Sequence, residues 1–304
     1  MSDLSHPTSR VLDVITFLAG HPTEEFSLAD IAQQTAMSKA SAHRVLLTLA
    51  DADFLARHAK RKTYSLGMGL LAVGQASLEK YRGLDVARAE MARLTAELSL
   101  QCSATALIGG DLVILARAGM PQSHEGLARV GERRLMIPPM GMCHAAWAGA
   151  SIVEPYLAFA KQHLKAKVYA WLVEALGLIR RRGYTLAAHD STSRQLQQAT
   201  VVSAGRSRDA ARAPALGRLI GELTRNEIQL AELDHIDVRR VGQIAAPVFT
   251  ADASIAFQLV LSGLPSTLTL KKLQRYIEGL LVAAAAVTHQ MNGVVPTVRT
   301  EKVR

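Results

Sequence analysis

The chain has 304 residues, enough for about two domains, and is 49% hydrophobic and 20% charged, which excludes a disordered or fibrous polypeptide. No apolar run reaches the ~18–20 residues of a membrane span, the polar start with Asp3, His6 and Pro7 predicts no secretion signal, and two cysteines exclude a disulfide framework, so a cytoplasmic protein is expected. The net charge of +9 does not by itself mark a nucleic-acid-binding segment, because residues 1–80 hold eight Lys/Arg against eight Asp/Glu and the surplus lies in 161–182 and towards the C-terminal end.

Val11, Leu12, Ile15 and Leu18 recur at helical spacing and predict a short amphipathic helix, stopped by Gly20, His21 and Pro22. Ser27, with Asp30 three residues on, predicts a capping box for a second helix whose stripe is Leu28, Ile31 and Ala32 and whose end is near Thr35. Ala36 to Ser38 form a turn, and Ser38 caps a third helix with Ala42, Val45, Leu46 and Leu49 on its apolar side. Two helices joined by so short a turn make a helix-turn-helix. Lys39, Ala40, His43 and Arg44 project opposite the apolar stripe, near the helix start. That face fits a solvated surface or a major groove, where a cation meets guanine acceptors or phosphate. The next segment favours the groove. A strand through Phe54, Leu55, Ala56 and Arg57, a turn from His58 to Lys62 and a return strand from Thr63 to Leu66 predict a basic hairpin, placed as a wing.

Leu70, Leu71 and Val73 predict a short helix ending near Gly74. Leu84 to Leu98 reads as a stiff connecting helix with no Pro/Gly-rich linker before it. Strands over Cys102–Ile108 and Leu112–Ala116 form a hairpin across Gly109 and Gly110. Gly131 to Ile137 is a further strand, followed by Pro138, Pro139 and a helix from about Met140 to Gly149; Val168 to Arg182 is a long amphipathic helix. Val241–Phe249 and Ser254–Leu261 predict a second hairpin, Thr269 starts a final helix to about His289, and the tail from Val294 is polar. Strands between helices with hairpins at both ends predict a mixed α+β domain.

Ser9-Arg10-Val11-Leu12-Asp13-Val14, Met37-Ser38-Lys39-Ala40-Ser41-Ala42-His43-Arg44 and Tyr64-Ser65-Leu66-Gly67 resemble the IclR family of bacterial transcriptional regulators. So do Val241-Gly242-Gln243-Ile244-Ala245-Ala246-Pro247-Val248-Phe249 and Leu259-Val260-Leu261-Ser262-Gly263. The resemblance spans roughly 9–190 and 236–290. It implies an α+β chain with an N-terminal winged helix-turn-helix joined by a helical linker to a GAF-like mixed α/β effector domain. The corresponding domains are 1–74 (winged helix-turn-helix), 75–84 (linker), 85–292 (effector-binding, with an insertion at 191–235) and 293–304 (tail). It further implies palindromic double-stranded operator DNA and a small-molecule effector as ligands, in homodimers or in homotetramers built from them. Ser38, Lys39, Ala40, Ser41, His43, Arg44, Arg57, Lys60, Arg61 and Lys62 are the expected DNA-binding residues. Met140, Gly141, Met142, Asp190, Gln243, Val260 and Ser262 are the expected effector-binding residues.

Three departures bear on the effector. Residues 191–235 look inserted, with six Arg and five acids and an Ala/Leu-rich stretch from Pro214 to Leu233. Gln243 stands where the family often has cysteine, and Val260 where small-acid binders have the first of two serines, so that only Ser262 remains. With Met136, Met140, Met142 and Trp147 these changes predict a fairly apolar pocket for an aromatic, lipid-like or alicyclic catabolite, unless the methionines are simply core.

Catalytic patterns are absent. Cys143 and His144 are adjacent and point about 100° apart on a helix. No zinc spacing, Gly-x-Ser-x-Gly elbow, phosphate loop or dinucleotide fingerprint occurs, so no enzyme, metal or cofactor is expected. The expected function is a ligand-responsive transcriptional regulator. The alternative is a small-molecule enzyme or sensor whose helix-turn-helix makes only protein contacts.

Overall fold

The computed structural model describes residues 6–80, 83–119, 129–188, 191–201, 216–220 and 236–296. They divide into two compact units, with the main break between the fourth and fifth helices and residues 131–133 grouped with the first.

The first unit runs α1 (His6–Ala19), β1 (Phe26–Ser27), α2 (Leu28–Gln34), α3 (Lys39–Asp51), β2 (Leu55–His58), β3 (Thr63–Leu66) and α4 (Met68–Lys80). The predicted capping box is present: the Ser27 amide donates to Asp30 Oδ2 at 3.0 Å, and the Asp30 amide donates to Ser27 Oγ at 3.2 Å. The turn into α3 places Ala36 at φ +53, and Ser38 Oγ accepts the Ser41 amide. One core joins Val14, Phe17, Leu18, Ile31, Leu46, Leu49, Leu55 and Tyr64, all buried. The apolar side of α1 centres on Val14, Phe17 and Leu18, with Val11 and Ile15 of the predicted stripe packed against that core, and only Leu12 of the stripe departs, at 58% exposed. The hairpin is a three-stranded sheet, because Phe26 and Ser27 pair with Tyr64 and Thr63. Gly67 closes it at a position where a Cβ would lie 2.2 Å from the Asp53 carbonyl oxygen. The helix expected to stop near Gly74 continues to Lys80, and most of its side chains are exposed.

The second unit opens with α5 (Gly83–Leu98), then β4 (Gln101–Ile108), β5 (Asp111–Ala118), β6 (Arg133–Leu135), α6 (Met142–Trp147), α7 (Ala150–His163), α8 (Ala166–Arg182), β7 (Thr185–Ala188) and α9 (Ser191–Ala199). A 3-10 turn (Val238–Arg240), β8 (Val241–Phe249), β9 (Ile255–Ser262) and α10 (Leu270–Gln290) complete it. The sheet order is β6-β5-β4-β9-β8-β7, and the pairings β4 with β5 and β9, and β8 with β7 and β9, are antiparallel. Both predicted hairpins are adjacent pairs in it. Helices α5 and α10 pack against β4, β5, β8 and β9, while α6 packs against β8 and β9 with α7 and α8 beside it. The result is a sheet between helical layers, each strand alternating its side chains between them.

Several expected elements differ. The strand placed at 131–137 is the three-residue β6, and the helix placed from Met140 starts at Met142, capped by Gly141 in the left-handed region at φ +77. A Cβ at Gly141 would meet Met136 Cγ at 2.8 Å, so close packing and backbone conformation both require glycine there. Helix α7 and strand β7 have no counterpart in the sequence reading. Most of the Pro214–Leu233 stretch lies outside the described residues. Within it, Leu216 and Ile220 are buried, in a small core with Ile137 and Leu196. No described helix is long and apolar enough to cross a membrane.

Candidate nucleic-acid interface and ligand cavity

Helix α3 is amphipathic along its whole length. Ala42, Leu46 and Leu49 are buried against α1, α2 and the sheet, and this fixes the opposite side outward. Ser38, Lys39, Ala40, His43 and Arg44 are all exposed at or near the N-terminal end. Ser41 does not share that face: it is 7% exposed, and its Oγ accepts from Arg10 Nη1 of α1 at 2.9 Å. Two long cations and an imidazole thus stand together at a helix start, where unpaired backbone amides add positive potential.

Arg57, Lys60, Arg61 and Lys62 are exposed on the β2–β3 hairpin. Each has a distinct setting. Arg57 sits 5.9 Å from the Tyr64 ring centroid, at the limit of cation–π contact. The turn is held by the Lys62 amide donating to the His58 carbonyl at 2.8 Å and the Arg61 amide donating to His58 Nδ1 at 3.2 Å. Arg61 is not a bare cation: its Nη2 meets Glu25 Oε1 at 2.8 Å, and Thr63 Oγ1 donates to the other Glu25 oxygen. The pair is 61% and 35% exposed, so solvent screens it and a phosphate can displace the carboxylate at small cost.

The second unit carries a cavity of about 130 Å³ between one face of the sheet and the segment 134–143. Register explains its wall. Thr105 pairs with Gln258 and Ser103 with Val260 across β4–β9, Val260 with Ala245 across β9–β8, and Ala187 with Gln243 across β7–β8. These residues, with Thr185, Leu112 and Ile114, line it from below, and Arg134, Pro139, Met140, Gly141, Met142 and Cys143 close it above.

Of the expected effector residues, Met140, Gly141, Met142, Gln243 and Val260 line the cavity. Ser262 does not; it faces Gln243 across the β8–β9 ladder, two residues beyond Val260. Asp190 lies outside the described residues. Trp147 packs edge-on to Phe249 at 5.7 Å rather than lining the cavity. The wall is more polar than the methionines predict, because Ser103, Thr105, Thr185, Gln258 and Arg134 were not anticipated. Their signal was in the sequence: polar residues at alternate positions of otherwise apolar strands mark a face that meets something other than core.

Behind this wall His144 is 1% exposed. Burial pushes its imidazole down to about 4, while Gln258 acts the other way, near enough to favour the cation but without a formed hydrogen bond. Cys143 is buried and its thiol is pushed up by desolvation, which leaves it unreactive at neutral pH. No group of three metal-ligating side chains occurs among the described residues.

A family model described as the IclR helix-turn-helix domain matches residues 7–59. No curated protein matches the chain. Among solved structures, an IclR-type transcriptional regulator from Alicyclobacillus acidocaldarius aligns with TM-score 0.67 at 19% identity, over 94% of this chain and 98% of its own. An IclR-type regulator from Silicibacter sp. aligns at 0.65 and 17% identity, over 95% and 98%. An IclR homologue from Microbacterium hydrocarbonoxydans, solved with 4-hydroxybenzoate, aligns at 0.64 and 18% identity, over 94% and 98%. At these identities the likeness is one of fold.

Proposed function

We propose that this chain, a member of the IclR family by its matched helix-turn-helix domain and its fold, is a transcriptional regulator that binds palindromic operator DNA as a dimer and releases or tightens it in response to a small acid. The observation that carries the reading is the α3 face on which Lys39, Ala40, His43 and Arg44 stand exposed while Ala42, Leu46 and Leu49 anchor the other side. In this motif the N-terminal part of the second helix enters the major groove. Lys39, His43 and Arg44 then reach base edges or phosphates, Ala40 offers a methyl contact, and Ser38 holds the helix end. Arg57, Lys60, Arg61 and Lys62 contact the backbone as a wing, with Arg61 exchanging Glu25 for phosphate. Ser41 acts from inside, through Arg10. The working domains are residues 1–74, a linker at 75–84, and 85–292, and the dimer sets two recognition helices about one DNA turn, ~34 Å, apart.

The cavity is the effector site in this reading. A cavity of about 150 Å³ holds one benzene molecule, so about 130 Å³ fits a single six-membered ring. Leu112, Ile114, Met140, Met142 and Val260 suit its apolar body, and Arg134 suits a carboxylate. The 4-hydroxybenzoate of the Microbacterium homologue is a single-ring acid of that class. Coupling of ~1–3 kcal/mol between cavity and DNA changes operator affinity ~5–150-fold.

Selection from random duplex DNA with the full-length protein tests the reading, and enrichment of a palindrome is expected. Arg44→Ala is expected to lose binding to the selected duplex while keeping its oligomeric state by light scattering. Full affinity in that variant overturns the assignment of α3. No enrichment at low salt returns the helix-turn-helix to protein contacts, as in a sensor or enzyme.

A further inference from the structure

The charge surplus of the chain lies outside the winged helix-turn-helix. Residues 1–80 sum to zero, so the net +9 belongs to the rest of the chain. Part of it collects at one corner of the second unit, where α7 ends and α8 begins. No Asp or Glu occurs between Glu154 and Glu174, and Lys161, Lys165 and Lys167 stand exposed within that stretch. A segment distant in sequence adds a fourth cation. Leu216 and Ile220 are buried in the small core against which Phe159 and Leu164 of the corner also pack. A Cβ on Gly217 would lie 3.1 Å from the His163 carbonyl oxygen, so the segment rests on the end of α7. Arg218, between its two buried anchors, is exposed beside the three lysines. Among the described residues none of the four cations has a carboxylate partner. Solubility asks for charge of both signs interspersed, whereas like charges gathered without a counter-charge repel one another.

We propose that this α7–α8 corner is a second DNA-contacting surface, which holds the phosphate backbone of duplex flanking the operator without reading its bases. The proposal rests on the regulator reading above. Duplex DNA carries one negative charge per ~1.7 Å of its axis, a counter-charge dense enough to meet all four cations at once. Residue type sets the mode of contact. Three of the four are lysines, compact charges on flexible stems without the rigid donor fork of arginine, so they attract phosphate in many poses rather than one. Shape points the same way. A blunt corner between two helices offers no helix face or strand ribbon to lie along a groove, so its contacts stay at the backbone. Such a surface adds affinity that does not depend on flanking sequence and that weakens steeply with salt, because each neutralised phosphate releases its counterion. The winged helix-turn-helix chooses the site, and the corner lengthens the grip on it.

The test uses the full-length protein and two duplexes carrying the selected operator. One is trimmed to the palindrome, and the other has about 15 base pairs of arbitrary sequence added on each side, ~50 Å of duplex per flank. Wild type is expected to bind the long duplex at least about fivefold tighter, with a salt slope steeper by at least about two units. Lys161→Gln/Lys167→Gln is expected to remove both differences while binding the trimmed duplex as wild type does. Lys271→Gln/Lys272→Gln removes the same charge from exposed positions on α10 and is expected to keep both differences. A length advantage that survives in Lys161→Gln/Lys167→Gln overturns the proposal, as does one lost equally in Lys271→Gln/Lys272→Gln. Equal binding of the two duplexes by wild type overturns it in favour of an acidic protein surface at the corner, and leaves the regulator reading standing. No binding to either duplex at low salt overturns both.

Discussion

Arg10 and Ser41 are 31 residues apart, yet their 2.9 Å hydrogen bond ties α1 to the first turn of α3. The Ser41 amide in turn donates to Ser38 Oγ at 3.2 Å, so one chain of bonds runs from α1 to the cap of the recognition helix. Its effect is angular: it fixes which way Lys39, His43 and Arg44 point. Arg10→Met and Ser41→Ala are each expected to lower affinity for the selected duplex about tenfold. The double variant is expected to be no worse than either alone, because both break one interaction. The salt slope of binding is expected to stay at the wild-type value. A slope lower by about one unit in Arg10→Met, with additive effects, would make Arg10 a direct phosphate contact instead. The inward turn of Ser41 was not legible in the sequence, since projection on an isolated helix leaves it between faces, and a partner on another helix decides it. Lys39, His43 and Arg44 were legible because the stripe Ala42, Leu46 and Leu49 leaves them one direction only.

At the scale of elements, α2 and α3 follow from local chemistry, as each cap and its stripe lie within one short stretch, Ser27 to Ala32 and Ser38 to Leu49. Strand β1 does not: two residues carry no period, and they are extended because β3 offers Thr63 and Tyr64 as partners. Helix α7 is obscured by Pro155 at its sixth position and by a short inventory of buried residues, Tyr156 and Ala160. The cavity wall is the least local feature, assembled from strands β4, β5, β7, β8 and β9 that only register brings together. The capping box of α2 gives a local claim that can be measured. Ser27 Oγ and the Ser27 amide hold the Asp30 carboxyl below its ordinary value. The folded group is thus the stronger acid, so its stabilisation is present above the ordinary carboxylate range and is lost as pH falls below it. Ser27→Ala is expected to cost about 1 kcal/mol at pH 7 and to speed hydrogen exchange at the α2 amides. Below about pH 4 the difference from wild type is expected to shrink. A pH-independent difference would mean that the hydroxyl acts only as a neutral cap.

The whole molecule holds separate cores in its two units, so it need not unfold in one step. His144 makes the two respond differently to acid. Its folded pKa lies near 4 against an ordinary 6.5, with burial as the main cause. Unfolding frees the imidazole to take a proton, so the unfolded state binds more protons between those values. The second unit therefore keeps its full stability above about pH 6.5 and loses ~3 kcal/mol by pH 4, where the loss levels off. In the first unit, Asp30 titrates lower still. Both tryptophans of the chain, Trp147 and Trp171, lie in the second unit, and Trp147 is three residues from His144, so tryptophan fluorescence reports that unit alone. Urea titrations followed this way are expected to show a midpoint that falls steadily from pH 6.5 to 4. Over the same range, hydrogen exchange at the α2 and α3 amides is expected to report little change in stability. His144→Leu is expected to flatten the fluorescence midpoint over that range. A wild-type midpoint as flat as that of the variant would mean that the imidazole takes its proton in the folded state, and that the wall beside the cavity is wetter than its burial implies.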